Sequence, residues 1–303
     1  MPQRTLRYRG FGVTVQAPER VTSLVRRIRP RDAGDAERFA IAPVPPFQVD
    51  PRARQRKEWR DFVDTADGNG NREHNWYHTI EFADGSATDG RFDHRDLVAH
   101  YGLPDDLHGK RALDVGSGDG FWAFELERRG AAVTSLDIET FADADLPAPL
   151  HDVFVEHPVK LSFRRGIEIA GDRLGSNVAL VNQPVYELDP KVHGTFDLVH
   201  AGDILLHLRD PALALQRLRS VTHGVCILAD AFDPDIDALG AGPGLTRFIG
   251  GWDDVTWWMP ALSTLVQMVR DAGFADVEVL TTYTLGERDN PAGRWRAVMR
   301  ARP

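Results

Sequence analysis

The chain has 303 residues, 42% hydrophobic and 27% charged, enough for one or two globular cores of roughly 100 to 200 residues each. Thirty-six Lys and Arg against forty-five Asp and Glu leave a net charge of −9, which argues against a surface built mainly for polyanions such as duplex nucleic acid. A single cysteine, Cys226, excludes an intrachain disulfide and a thiolate metal cluster. No apolar run approaches the roughly 18 to 20 residues of a membrane helix, and the arginine-rich start lacks a signal peptide's apolar core. A cytoplasmic protein with no membrane partner and no metal is expected.

The charge is uneven along the chain. Residues 1–60 hold fourteen Lys and Arg and six Asp and Glu, an excess of +8, so residues 61–303 sum to −17. A hinge at Pro43, Pro45, Pro46 and Pro51 disfavours regular structure, because proline lacks an N–H and fixes φ. The run ARQRKEWR, 53–60, suits amphipathic packing or stacking of its Trp on a base or sugar. Ahead of residue 108 come Trp76, Tyr77 and His78, an aromatic and imidazole group that packs as core or folds over a site as a lid. His74 and His78 share helical spacing, but the segment reads as extended and no matching carboxylate motif follows, so no zinc site is expected.

From Lys110 onward short apolar runs alternate with helical patterns, the signature of an α/β fold with a largely parallel sheet. Strands are expected at 111–115, 131–138, 177–182, 196–203 and 224–230, with helices at about 121–129, 161–174, 211–219 and 261–271. Two closing runs, VEVLTTYT and RWRAVMRA, have no helix between them and predict an antiparallel hairpin. The expected domains are an N-terminal extension and lid, 1–108, and a Rossmann-like catalytic domain, 109–303. The latter carries a Gly-rich insertion at about 232–260.

LDVGSGDG, 113–120, places Gly116, Gly118 and Gly120 between a buried strand and a helix, where backbone can approach a ligand and the helix offers unpaired N–H groups. It departs from the dinucleotide GxGxxG pattern, and Asp114 before it would repel a pyrophosphate. An acid there instead attracts a cofactor with an ammonium head. About twenty residues on, Asp137 ends the next strand, where a carboxylate accepts from ribose hydroxyls.

Strand, GxGxG turn, helix, a strand ending in Asp, then FDLV and a terminal hairpin together resemble a class I S-adenosylmethionine-dependent methyltransferase. The resemblance spans about residues 110–302 and implies a seven-stranded sheet with an antiparallel last strand. NWYHTIEFADGSATDGRFDHR (75–95), the stretch up to the glycine turn and LLHLRDP (205–211) resemble the branch related to the tRNA wobble-uridine carboxymethyltransferases. The resemblance implies contacts of Asp114, Gly116 and Gly118 with the methionine end, Asp137 with ribose, and Val185 and Tyr186 with adenine. Ser117, Gly120, Phe121, Ile138 and Gly202 flank these and complete the expected cofactor set. Two departures stand out. The carboxymethylating enzymes have Tyr before the His of their HxxxP segment, where this chain has Leu206, and Lys where it has Phe92 or Asp89. Those groups would hold a carboxylated donor, so ordinary S-adenosyl-L-methionine is expected, with a small-molecule acceptor: a natural product, a glycoside or a prenyl diphosphate. The basic front keeps a tRNA partner open as the alternative, and a protein that binds the cofactor without catalysis is a further one.

Methyl transfer is an in-line displacement in which the protein positions the acceptor and, for a hydroxyl, removes its proton. His207, Asp203 and His200 lie in or after the fourth strand, at the carboxyl end where α/β folds hold ligands. His207 is either a base or a residue locking the loop before Pro211. Oxygen is the favoured acceptor atom. Trp252, Trp257 and Trp258 in the insertion form a wall for a flat or apolar substrate, pack the insertion onto the body, or make a homodimer contact. Arg164 and Arg165, near Glu168, meet an anionic substrate or form a solvated helix face.

Overall fold

The computed structural model describes residues 4–8, 11–15, 74, 76–148, 150–152, 162–240, 244–253, 255–288 and 290–303. The hinge at Pro43 to Pro51, the run 53–60 and the Trp252 side chain lie outside the described residues. The chain divides into two compact units, Met1–Val49 and Asp50–Pro303. In the first, β1 (Arg4–Tyr8) and β2 (Phe11–Val15) form an antiparallel hairpin.

The second unit is built on a seven-stranded sheet. In chain order its elements are β3 (Arg111–Val115), α1 (Phe121–Arg128), β4 (Ala132–Asp137), α2 (Arg165–Leu174), β5 (Ala179–Asn182), α3 (Pro190–His193), β6 (Phe196–Gly202), α4 (Pro211–Val221) and β7 (Thr222–Ala231). There follow α5 (Pro234–Ala238), β8 (Thr246–Asp253), β9 (Thr256–Pro260), α6 (Leu262–Asp271), β10 (Asp276–Glu287) and β11 (Asn290–Arg302). The strands lie in the order β10-β11-β7-β6-β3-β4-β5, and β8 and β9 pair separately as a hairpin inside the insertion. Strand β11 runs antiparallel to both neighbours, while β7, β6, β3, β4 and β5 are mutually parallel. The expected α/β architecture with an antiparallel last strand is therefore the observed one.

Strand alternation sorts the core into two faces. Leu113, Val115, Val199, Cys226 and Leu228 pack with Leu215 and Leu218 of α4 and Leu265 and Val269 of α6. Ala112, Val133, Leu198 and Ile227 face the other way, against Trp122, Leu126, Ile167 and Ala170 of α1 and α2. Ile80, Phe82, Tyr101, Leu103 and Leu107 join this second core, so the stretch before residue 108 is part of the body that carries the sheet. Helices α3, α4 and α5 each begin at an Asp-Pro step. Asp189, Asp210 and Asp233 accept a first-turn N–H, and the proline occupies a position whose N–H has no helical partner.

Winding reverses between β3, which leads to β4 and β5, and β6, which leads toward β7. This is the topological switch point at whose carboxyl side open α/β sheets bind ligands. By the same alternation that places Ala112 and Leu198, Asp114 and His200 point to the α1/α2 face in this crevice, and Ser135 and Asp137 do so on β4.

Candidate active site

The glycine turn makes the floor. Gly116, Gly118 and Gly120 all have positive φ, at 71°, 51° and 92°, which a side chain would strain. A Cβ on Gly116 would lie 3.1 Å from Ile204, and one on Gly118 would lie 3.5 Å from the His78 ring. The turn is thus a narrow cradle of bare backbone. Ser117 Oγ donates to the Asp114 carbonyl at 3.0 Å and accepts from Ser135 Oγ at 2.8 Å, tying the turn to β4.

Asp114 lies at the end of β3, 1% exposed. His200 stands directly opposite on β6, and its Nδ1–H donates to Asp114 Oδ1 at 2.7 Å. Trp122 and Tyr101 hold the imidazole, with ring centroids 4.8 and 5.9 Å away. The other carboxylate oxygen, Asp114 Oδ2, is buried without a hydrogen-bond partner. An anionic oxygen left bare in a crevice is costly, and it fits a cation supplied by a ligand. Asp137 Oδ2 accepts the Gly118 N–H at 2.8 Å and Oδ1 the Ile138 N–H at 2.8 Å. Burial pushes this carboxyl up to about 6, opposed by those two N–H groups and by Arg164. A half-buried acid, Asp137, fixed beside the bare glycine turn, and a buried one, Asp114, offering an unpaired oxygen, thus flank it, which suits a ribose and an amino-acid head.

Arg164 is not on a solvated helix face. It precedes α2 and is 2% exposed, the largest fully buried side chain among the described residues, and its Nη1 donates to Ser135 Oγ at 3.1 Å. Burial holds its guanidinium below the ordinary arginine range, opposed by the nearby carboxylates of Asp137, Glu168, Asp114 and Glu139.

Sequence reasoning missed Asp119, inside the glycine motif itself. Its carboxylate, 4% exposed, accepts the backbone N–H groups of Tyr77 (2.5 Å) and His78 (2.9 Å) and pairs with His74 Nε2 at 2.8 Å. A Cβ on Gly166 would lie 2.1 Å from Asp119 Oδ1, so the glycine at the start of α2 makes room for this latch. An acid at a helix start reads as an ordinary cap, and the strap it holds lies more than forty residues away. His78 is 6% exposed, stacks on Phe121 at 5.8 Å, and has an unpartnered Nδ1. Burial, with His94 and His200 nearby, holds it well below the ordinary histidine range, and His94 is held down to about 4 chiefly by burial. Trp76 makes an edge contact with His74 at 4.8 Å, and Tyr77 packs on Phe92 at 4.7 Å.

At the end of β6, Asp203 has a positive φ of 51° and pairs with Arg296 of β11. Asp230 beside it accepts the N–H groups of Leu205, Leu206 and Ala231. Burial, reinforced by the Asp203 charge, pushes it up to about 7. A Cβ on Gly202 would approach His200 Cε1 to 3.0 Å. His207 Nδ1 donates to the Val255 carbonyl at 3.3 Å. Val185 belongs to the first core. The Tyr186 hydroxyl donates to Asp145 and accepts the Asp210 N–H at 3.1 Å. Trp257 and Trp258 spend their indole N–H groups on the carbonyls of Asp145 (2.5 Å) and Arg209 (3.1 Å), and so fasten the β8–β9 hairpin to the body. Among the described residues no group of three or more His, Cys, Asp or Glu has the geometry of a metal site, and no helix is long and apolar enough to cross a membrane.

These features define a nucleoside-cofactor fold of the methyl-transferring class. The profile of the family described as a methyltransferase domain matches residues 93–279, more than half of the chain, and the chain belongs to that family, whose methyl donor is S-adenosyl-L-methionine. It is similar to the magnesium-protoporphyrin O-methyltransferase of Rhodobacter capsulatus, 32% identical over 132 residues, 43% of this chain and 48% of the relative. It is also similar to a ubiquinone biosynthesis O-methyltransferase of Marinobacter nauticus, 33% identical over 118 residues, 38% of this chain and 40% of the relative. The matched stretch spans about half the length of these curated relatives or less. Among solved structures, the N-terminal domain of EvdMO1, crystallised in the presence of SAH and D-fucose, is 19% identical, covers 80% of this chain and 96% of its own, and has a TM-score of 0.48. The resemblance read from the sequence thus holds at the level of the methyltransferase class, and its tRNA wobble-uridine branch finds no support.

Proposed function

We propose that the chain transfers a methyl group from S-adenosyl-L-methionine to an oxygen of a small-molecule acceptor. The observation that carries the donor site is the bare, buried Asp114 Oδ2 beside three glycines of positive φ. When bound, the donor supplies an electrophilic methyl group on a sulfonium. Asp114 attracts its ammonium, with His200 holding the carboxylate in place, and Asp137 accepts from its ribose hydroxyls. The crevice wall of Trp122, Tyr101 and His78 excludes water. The names of both curated relatives, which are O-methyltransferases, support an oxygen acceptor.

His207 is the base in this reading. Its Nδ1–H donates to the Val255 carbonyl, which puts the ring's lone pair on Nε2, the atom through which a histidine base would act. Asp203, already paired with Arg296, shapes the pocket. Calorimetric titration with S-adenosylmethionine, S-adenosylhomocysteine and the carboxylated donor tests the donor first. Binding of the first two in preference to the third supports the reading, and turnover with screened phenols and carboxylic acids then tests the acceptor. No binding of any donor would overturn it.

A further inference from the structure

The donor assigned above has an amino-acid end with two opposite charges, and Asp114 accounts for one of them. Its carboxylate needs hydrogen-bond donors. Helix α1 opens at Gly120 with no side-chain cap, so its N-terminus contributes positive field and backbone donors. A second group converges on the same spot. The strap at residues 76–78 is pinned across the glycine turn by Asp119, and it delivers His78 so that Cε1 and Nδ1 lie 3.5 and 3.8 Å from where a Gly118 Cβ would be. That Nδ1 is buried without a partner, although nearly all such nitrogens in folded proteins are satisfied.

We infer that His78 is a donor-binding residue whose Nδ1–H receives the methionine carboxylate of S-adenosylmethionine, with Asp119 as the residue that positions it. The inference rests on the donor assignment made above. It turns His78 from a lid over the site into a contact of the cofactor itself, and it gives the acidic residue within the glycine motif a purpose distinct from that of Asp114. The two charges of the amino-acid end are then read by different elements: the ammonium by the sheet through Asp114, and the carboxylate by the strap and the start of α1. A ring kept neutral by burial suits this task, because a neutral imidazole donates one hydrogen bond without adding a cation beside the ammonium.

Calorimetry with three probes separates these contacts. They are S-adenosylmethionine, decarboxylated S-adenosylmethionine, which keeps the ammonium and lacks the carboxylate, and 5′-methylthioadenosine, which lacks both. The native chain is expected to bind them in that order of decreasing affinity. His78→Phe, which keeps the stack on Phe121, should weaken S-adenosylmethionine by about tenfold and leave decarboxylated S-adenosylmethionine unchanged. His78→Gln, which restores a side-chain N–H, should recover part of the preference. Asp114→Asn should weaken both ammonium-bearing probes. The ratio of the two affinities is read within each variant, so a general loosening of the fold cancels. Equal losses for both probes in His78→Phe, or no loss for either, would overturn the role of His78 while leaving the donor assignment standing. Failure of the native chain to bind any of the three would instead remove the donor assignment, and this inference with it.

Discussion

Asp137 shows how a single residue makes cofactor binding depend on pH. Its carboxyl, pushed up to about 6 by burial, is protonated below that value, and a neutral acid accepts weaker hydrogen bonds from ribose hydroxyls than a carboxylate does. Affinity for S-adenosylhomocysteine is therefore expected to rise between pH 5 and 7.5, and Asp137→Asn should flatten that rise in a calorimetric pH series. Asp230 carries a signature of the opposite slope, in stability. It is pushed up to about 7, against an ordinary aspartate value of about 3.9. Across that window the folded chain keeps a proton that the unfolded chain has lost, so the site's contribution to stability declines as pH rises. Thermal melting from pH 5 to 8 should fall less steeply in Asp230→Asn than in the native chain. Asp114, Asp137 and the glycines could be read from the sequence, because their chemistry is encoded by a strand end and a turn next to each other. Asp119, His94, Asp230 and Arg296 could not, since each acquires its role from partners brought close by folding, with 93 residues separating Arg296 from Asp203.

Elements differ in how much of their geometry depends on a missing side chain. Gly120 begins α1 at φ 92°, and a Cβ there would meet Ile167 at 2.5 Å and Phe124 at 2.7 Å, whereas one on Gly85, at φ 80°, would have nothing within 4 Å. Gly120→Ala should therefore cost several kcal/mol, about 1 to 3 for the backbone and about 1 to 3 for the forced repacking of α1 against α2, while Gly85→Ala incurs only the backbone part. Denaturant midpoints of the two variants check the difference. In the insertion, Trp257→Phe removes the N–H that binds the Asp145 carbonyl and should lower stability by about 1 to 2 kcal/mol without displacing the sheet. The parallel strands and their main helices were legible because apolar runs and helical spacing are local signals, while the short helices at Pro190–His193 and Pro234–Ala238 were not expected; the terminal hairpin was legible because no helix separates its strands. The burial of Arg164 was not. A cation near Glu168 on a helix pattern looks solvated until Ser135, Asp137 and Asp114 are folded around it.

On the scale of the whole molecule, the basic front and the acidic body fall largely into separate units, Met1–Val49 and Asp50–Pro303. A chain beginning at Asp50 is expected to keep its donor affinity, because the glycine turn, the strap and the sheet all lie in the second unit. Any RNA binding by the full chain should be strongly weakened by salt and reduced on that truncation, which removes nine of the fourteen Lys and Arg of the basic front but keeps the run 53–60, and salt-resistant binding by the truncated chain would contradict the small-molecule reading. Cys226 sits mid-strand on β7, fully buried, and its thiol is pushed far above the ordinary cysteine range by the absence of water around it. A thiol in that state does not react, and the chain has no other cysteine. The native protein therefore carries a silent chromophore-ready handle at its centre. Modification by an alkylating or disulfide reagent reports each opening of the central sheet, so the lifetime of the fold can be timed with no engineered label.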